Sequence, residues 1–396
     1  MWFWWSRFSQ SDAFGGILLM VAAALALVAA NSPLAGLYNQ FLSLKLVIAI
    51  GDFSIAKPLL LWINDGLMTL FFLMVGLELK REIMVGELSQ AAKVAFPAAA
   101  AVGGMLVPAL IYTAFNYQDP IALNGWAIPT ATDIAFALGV LSLLGNRVPA
   151  GLKLFLVTLA IFDDIGAIVI IALFYTAKLS WFAISCAGIG LALLAFMNWR
   201  GGINRTAYLL IGLFVWVSLL KSGVHATLAG VAIALLIPYK GVDSSGREQT
   251  PVADIEHDLH SVVNLGVLPL FAFANAGLSF AGLNMAALTA GVPLGICLGL
   301  VVGKQLGVML FAWLAVHFKI GRLPSDCNWS QIYGAALLCG VGFTMSLFIG
   351  SLAFVDTQAS EPMHERLGIL VGSVVSAVLG YVWLARVAKS PVQGLK

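Results

Sequence analysis

Long apolar stretches separated by short polar connections recur along almost the whole chain. Most approach the roughly 20 residues that a helix needs to cross the hydrocarbon of a bilayer. Read between the polar punctuation, they predict spans at Phe14 to Ala30, Leu59 to Leu79, Val94 to Ala114, Ile121 to Leu144, Leu152 to Tyr175 and Trp181 to Met197. Six more follow at Ala207 to Leu220, Val224 to Pro238, Val262 to Phe280, Val292 to Val316, Ile332 to Phe354 and Leu367 to Leu384. In lipid every element must satisfy its own backbone, and the alternating ten-residue segments of a membrane barrel are absent. The expected fold is an all-α membrane protein of about twelve transmembrane helices, one integral membrane domain over residues 1–396. The seventh and eighth spans are short for a crossing. A thinned bilayer, surrounding protein or a merger around Lys221 to Gly223 would accommodate them.

Two spans carry helix-breaking residues at their centres. The fourth reads NGWAIPTATDIAFALG, with Pro129 followed by Thr130, Thr132 and Asp133, and the eleventh reads YGAALLCGVGFTMSLFIG, with Gly340, Gly342 and Thr344. Proline removes a backbone donor and glycine permits conformations that other residues avoid. Either residue alone is compatible with a mere kink or with close helix packing. A carboxylate beside the break, Asp133, points instead to unwound backbone at a polar cavity. Two such segments in matching positions predict inverted repeats, 94–175 and 292–384, with the site where the fourth and eleventh helices cross.

Outside the spans, Lys45 to Lys57 reads KLVIAIGDFSIAK, two β-prone runs around Gly51-Asp52, which predicts a hairpin, with a plain loop as the alternative. A lone hairpin is marginal in water, so its edge strand is a candidate for pairing with a second copy.

Composition strengthens this picture. The chain is 61% hydrophobic and only 10% charged, with a mean hydropathy of +0.97, which excludes a water-soluble globule of this length. A formal charge of +2 with scattered basic residues excludes nucleic acid as a partner. Fifteen of the 21 Lys and Arg residues, from Arg7 to Lys396, fall in the connections on one side, while Lys45, Lys57, Lys178 and Lys221 fall on the other. By the positive-inside rule the first side, with both termini, is cytoplasmic and the hairpin lies outside. Cys186, Cys297, Cys327 and Cys339 lack metal spacing and read as small core residues, so no resident cofactor is expected. The start, with Trp2, Trp4, Trp5 and Arg7, shows no small-residue cleavage site and reads as an interfacial anchor.

Five ionisable residues fall inside spans: Asp65, Asp133, Asp163, Asp164 and Lys304. Each costs roughly 2.5–3.5 kcal/mol on insertion scales, so partners or a function must offset them. Asp163 and Asp164 sit in LAIFDDIGAIVII at mid-span. They are about 100° apart on a helix but can border one cavity. A low-dielectric site disfavours two adjacent negative charges, so the pair calls for protons or a metal cation. A dehydrated Na⁺ takes oxygen ligands, which these carboxylates, Thr132 and carbonyls freed at the break can supply. Ion and protons then compete for one site, and alternating access turns competition into exchange.

Lys304, mid-way along LGLVVGKQLGVML, can pair with Asp163 or offset carbonyl ends of broken helices, as Asp133 can offset amide ends. A structural ion pair and a proton-carrying role both fit it. Asp65 reads as an interfacial or packing carboxylate.

At the cytoplasmic mouth, GLELKREIMVGEL sets Glu78 and Glu82 at helical i,i+4 spacing around Arg81, and DIEHDLHSVV sets Glu256 and His260 likewise, with His257 and Asp258 among them. Such groups titrate near neutrality and can bias packing with pH, or they are ordinary surface charges. His225 reads as an interfacial histidine.

The segments LLWINDGLMTLFFLMVGLELKREI, PTATDIAFALG, FDDIGAI, SGVHATLAG and GKQLG, spread over nearly the whole chain, make it resemble the bacterial NhaA-type sodium/proton antiporters. The resemblance implies exchange of internal Na⁺ or Li⁺ for external H⁺ across the bacterial inner membrane, electrogenic because more protons move than cations. It implies that Asp163 and Asp164 bind the ion, with Thr132 and Asp133 as further cation- or proton-binding residues, and that Thr132, Asp133 and Lys304 serve the crossed broken helices. It assigns Glu78, Arg81, Glu82, Glu256, His257, His260 and His225 to pH control, and it implies a homodimer joined partly through the outer hairpin.

Two rival classes fit less well. An intramembrane aspartyl protease using Asp133 and Asp163 would carry Tyr-Asp and Gly-x-Gly-Asp motifs, which are absent, and would leave Lys304 without a task. A passive cation channel accommodates buried carboxylates but gives no reason for two interrupted helices.

Overall fold

In the computed structural model the described residues are 12–51, 53–176, 179–242, 247–281, 285–354 and 363–387. The aromatic start, with Trp2, Trp4, Trp5 and Arg7, lies outside them, as do Asp52, Lys178, Lys389 and Lys396. Apolar runs become helices here because i→i−4 bonding is the one way a single segment satisfies its own backbone without water.

In chain order the helices are α1 (Asp12–Ala30), α2 (Ala35–Ser43), then after a hairpin α3 (Leu59–Met84) and α4 (Ala91–Asn116). A 3₁₀ run at Asn124–Thr130 leads to α5 (Ile134–Ser142), followed by α6 (Ala150–Phe174), α7 (Trp181–Trp199), α8 (Arg205–Leu220) and α9 (Leu228–Leu236). Then come α10 (Pro251–Val262), α11 (Leu268–Asn275), α12 (Gly291–His317), α13 (Trp329–Cys339), α14 (Phe343–Ala353) and α15 (Glu365–Val387).

By length and apolarity, six helices among the described residues can cross a membrane: α3, Val94–Asn116 of α4, α6, α7, α12 and α15. The number rises to nine if three pairs each count as one span: α1 with α2, Pro120–Thr130 with α5, bent by 42°, and α13 with α14, also bent by 42°. The other three predicted spans fall on the 16 residues of α8, the nine of α9, and the helix in which α10 and α11 join through a π turn at Val263–Val267.

Several boundaries differ from the sequence reading. The eighth predicted span starts at Val224, but helix begins only at Leu228. Gly223, at φ +85, turns the chain there, and the Ser222 hydroxyl accepts from Val224 N–H at 3.0 Å. The ninth begins at Pro251, just ahead of the helical spacing already shown by DIEHDLHSVV and well before the apolar run at Val262, because Pro251 occupies the first turn of the helix. Helix α2 was not anticipated. It follows Pro33 and buries Tyr38 and Leu42.

The packing divides the chain into two units. The first comprises 1–31, 90–167 and 275–396, and the second 32–89 and 168–274. Within the first, the succession long helix, broken helix, long helix occurs twice, as α4 to α6 and as α12 to α15. Within the second, Leu73 and Leu77 of α3 join Leu194, Val215, Ala229 and Ala234 in one apolar core.

The second unit also carries the hairpin. Strand β1 (Lys45–Ile50) runs antiparallel to β2 (Phe53–Pro58), from Ile50 opposite Phe53 to Lys45 opposite Pro58. Gly51 stands at φ +58 in the turn, a left-handed conformation that favours glycine. Val47 and Ile48 are exposed and Ile55 is buried. Two lysines tie the hairpin down: Lys57 Nζ lies 2.6 Å from Asp65 Oδ2, and Lys221 Nζ donates to Ser54 O at 2.6 Å.

Candidate functional site

The site grows out of two places in the first unit where helices stop. After Pro129 and Thr130 the backbone turns extended, with Ala131 at ψ 154° and Asp133 at φ −85° and ψ 97°. Helix α13 ends at Cys339, and α14 starts only at Phe343. The two breaks meet. Asp133 N–H donates to Val341 O at 2.7 Å, and Ser346 Oγ donates to Ile128 O at 2.7 Å.

Asp133 serves both helices that restart there. Its Oδ1 accepts from Phe136 N–H at 2.9 Å, at the start of α5. Its Oδ2 accepts from Thr344 N–H at 3.0 Å and Thr344 Oγ–H at 2.5 Å, at the start of α14. One buried carboxylate thus satisfies orphan donors, and faces the positive dipole ends, of two helices. It is 2% exposed, so bulk water does not share that task.

Thr132 points the other way. Its hydroxyl lies 2.5 Å from Asp163 Oδ2 on α6 and 3.0 Å from Cys339 O at the end of α13. It can donate to one of them at a time. The same Oδ2 accepts from Lys304 Nζ at 2.5 Å, and neither charged side chain is exposed. Asp163 Oδ1 has no hydrogen-bond partner among the described residues. Asp164, next on α6, is buried at 3% exposure. A buried ion pair is weak evidence for stability and invites another reason for its retention. Here a carboxylate has one oxygen without a donor and the other against a hydroxyl that also reaches a freed carbonyl, with a second buried carboxylate next on the helix, oxygen donors of the kind a small hard cation takes.

Lys304 reaches Asp163 because α12 lies almost backbone to backbone on α4. Gly295, Gly299, Gly303 and Gly307 recur every four residues and form a stripe on one face. A Cβ at Gly303 would stand 2.8 Å from Pro108 Cα, and one at Gly307 would collide with Gly103 O. The spacing was readable in the sequence, but its packing partner was not. Immediately before Lys304, Gly299–Gly303 forms a π turn, for which no sequence pattern gave a signal.

The remaining predicted residues lie in the second unit. Arg81 Nε donates to both oxygens of Glu256, at 2.9 and 3.1 Å, and its Nη2 lies 3.2 Å from Glu82. Glu78 is near enough to interact electrostatically with Glu256, Arg81 and Glu82. His257 and His260 are both exposed, and His260 meets Asn264 at 3.1 Å. His225 is elsewhere. Its charged neighbours are Asp65 and Lys57, and Asp65 lies thirteen residues before Glu78 on α3, about 20 Å along the axis. Lys80, read only as a cytoplasmic charge, donates to Leu235 O at 2.7 Å and to Ile237 O, closing the C-terminus of α9.

Comparison with known proteins places this geometry in context. The family model described as Na⁺/H⁺ antiporter 1 matches residues 6–384. A Na⁺/H⁺ antiporter NhaA of Pseudomonas fluorescens (strain Pf0-1) is 55% identical over 384 residues, 97% of this chain and 96% of that protein. Proteins of the same name from Yersinia pseudotuberculosis serotype O:3 (strain YPIII) and Yersinia pestis bv. Antiqua (strain Angola) are 55% and 54% identical, each over 95% of this chain and 94% of its own length. A family match across nearly the whole length, on a helical membrane protein, establishes that the chain belongs to the Na⁺/H⁺ antiporter 1 family and is a transporter, not an enzyme.

Proposed function

We propose that this protein exchanges internal Na⁺ or Li⁺ for external protons by alternating access, with Asp163 and Asp164 as the site where ion and protons compete. The observation that carries this reading is the Asp163 carboxylate. It is buried, held through one oxygen by Lys304 and Thr132, and without a hydrogen bond from the described residues at the other. Na⁺ competes with the ammonium for that carboxylate, with Asp164, the Thr132 hydroxyl and a freed carbonyl as further ligands. Protons held by the site leave as the ion enters.

Asp133 acts by charge compensation at the helix ends rather than as a ligand, since both its oxygens already accept hydrogen bonds. Lys304 is the counter-charge of the empty site. The two halves, 94–175 and 292–384, act as inverted repeats whose broken helices cross at the site, within about twelve spans of the bacterial inner membrane. The asymmetry of basic residues supports cytoplasmic termini and an outer hairpin. The exposed edge of that hairpin suits pairing with a second copy, within membrane lipid. Transport is electrogenic, so each net charge moved draws about 2.3 kcal/mol per 100 mV from the membrane potential. The Arg81, Glu82, Glu256 and Glu78 group, with His257, His260 and, apart from them, His225, adjusts activity to pH.

Inside-out vesicles loaded with acid and a pH-sensitive dye test the proposal. Added NaCl or LiCl dissipates the proton gradient, and Asp163→Asn or Asp164→Asn abolishes the response. A dye trace unmoved by either salt at every pH between about 6 and 9 would refute it.

A further inference from the structure

The π turn before Lys304 touches both helix breaks. A Cβ on Gly299, at its start, would stand 2.7 Å from Pro129 Cβ, beside the first break. Leu300, its second residue, is fully buried. The Leu300 side chain lies 2.9 Å from the Cβ position of Gly342 and 3.0 Å from that of Gly372, and its carbonyl oxygen would collide with any Cβ at Gly340. Leu300 therefore fills the gap at the second break, in space left open by three glycines. One residue past the end of the turn, the same helix delivers the ammonium to Asp163.

A π turn holds one residue more than the α turn it replaces, so a local change in its hydrogen bonding re-aims the residues at its end while the glycine stripe keeps α12 on α4. Lys304 follows the turn directly, so a small swing there takes its ammonium out of hydrogen-bond reach of Asp163. Leu300 lies inside the same turn, so the change also moves it against Gly340 and Gly342. Densely packed elements have discrete arrangements rather than a continuum, so such a change is passed on instead of absorbed.

We infer that Leu300 is a positioning residue that ties the release of Lys304 from Asp163 to the alignment of the two helix breaks, with the π turn at Gly299–Gly303 as the hinge. This rests on the proposed exchange at Asp163 and Asp164. Ion entry displaces the ammonium, the π turn relaxes, and Leu300 shifts the second break. Occupancy of the site thereby becomes movement of the broken helices. Leu300 contacts neither ion nor carboxylate in this scheme, so it sets the rate of conversion and not the affinity.

The test separates binding from turnover in the full-length protein. Na⁺ affinity is measured by calorimetry on the purified protein, and maximal Na⁺-driven proton flux in proteoliposomes. Leu300→Ala should lower the maximal rate about tenfold or more while the Na⁺ Kd stays within about threefold of the parent protein. Leu300→Met, which restores the bulk, should recover most of the lost rate. Gly340→Ala, which crowds the same contact from the other side, should show the same split and serves if Leu300→Ala does not assemble. A Leu300→Ala rate within about twofold of the parent, or a rate loss matched by an equal loss of affinity, overturns the inference. A parent protein that neither binds Na⁺ nor couples it to protons sinks the exchange reading instead, and that result precedes any comparison of variants.

Discussion

Asp133→Asn isolates the double cap, because it keeps the shape of the side chain and removes one acceptor and the charge. At an ordinary helix start the exchange is nearly neutral, since Asn and Asp cap a single helix about equally well. Asp133 accepts from Phe136 N–H on one oxygen and from Thr344 N–H and Oγ–H on the other. Asparagine can keep one of these sets. If its oxygen stays on Phe136, its amide NH₂ faces the Thr344 N–H, donor against donor, in a place shielded from bulk water. Hydrogen bonds to a charged group contribute about 1.5–3 kcal/mol each and neutral ones about 0.5–1.5. Losing one such bond and the charge assistance of another, together with about 0.3–1 kcal/mol from each helix dipole, comes to about 3–6 kcal/mol. Thermal unfolding in detergent reads this loss, with Na⁺ binding measured on the same samples. The expected result is a destabilised protein whose Na⁺ affinity changes little. An Asn variant within about 0.5 kcal/mol of the parent would rule out the double cap. Full stability combined with lost Na⁺ binding would make Asp133 a ligand.

Three further outcomes are expected. Thr132→Val removes the hydroxyl that bridges towards Asp163 and Cys339 O, so calorimetry should find Na⁺ binding weakened about tenfold, while Thr132→Ser retains it. Gly307→Ala places a methyl group against Gly103 O and should cost about 1–3 kcal/mol by thermal unfolding, whereas Gly188→Ala, with open space around it, should be neutral or slightly stabilising. The Arg81–Glu256 pair is only partly buried, so a double-mutant cycle with Arg81→Gln and Glu256→Gln should give at most about 1 kcal/mol of coupling, falling as salt is added.

Much of this molecule was legible residue by residue. Apolar runs declared helices because lipid leaves a single segment no other way to satisfy its backbone. Pro129 and the pair Gly340 and Gly342 marked the two interruptions because their effect is covalent and local: a missing N–H, a missing Cβ. Gly51 between β-prone runs marked the hairpin turn for the same reason. The five buried ionisable groups stood out against their neighbours. Local pattern failed at α2, whose amphipathic turns carry too little apolar signal to register, while the polar start of α10 showed only in its helical charge spacing.

Tertiary structure decided which of those groups meet. The sequence placed Asp133 beside a break but could not show that it serves α14, 211 positions away, as well as α5. It offered Lys304 a partner in Asp163, yet the approach depends on a glycine stripe finding Gly103 and Pro108 on another helix. It held no sign of the π turn that carries Lys304. Helix formation is written in contacts three and four residues apart, which any reader of the chain can follow. Pairings across hundreds of residues exist only once the helices have packed, because their reach and direction are properties of the assembled neighbours rather than of the residues themselves.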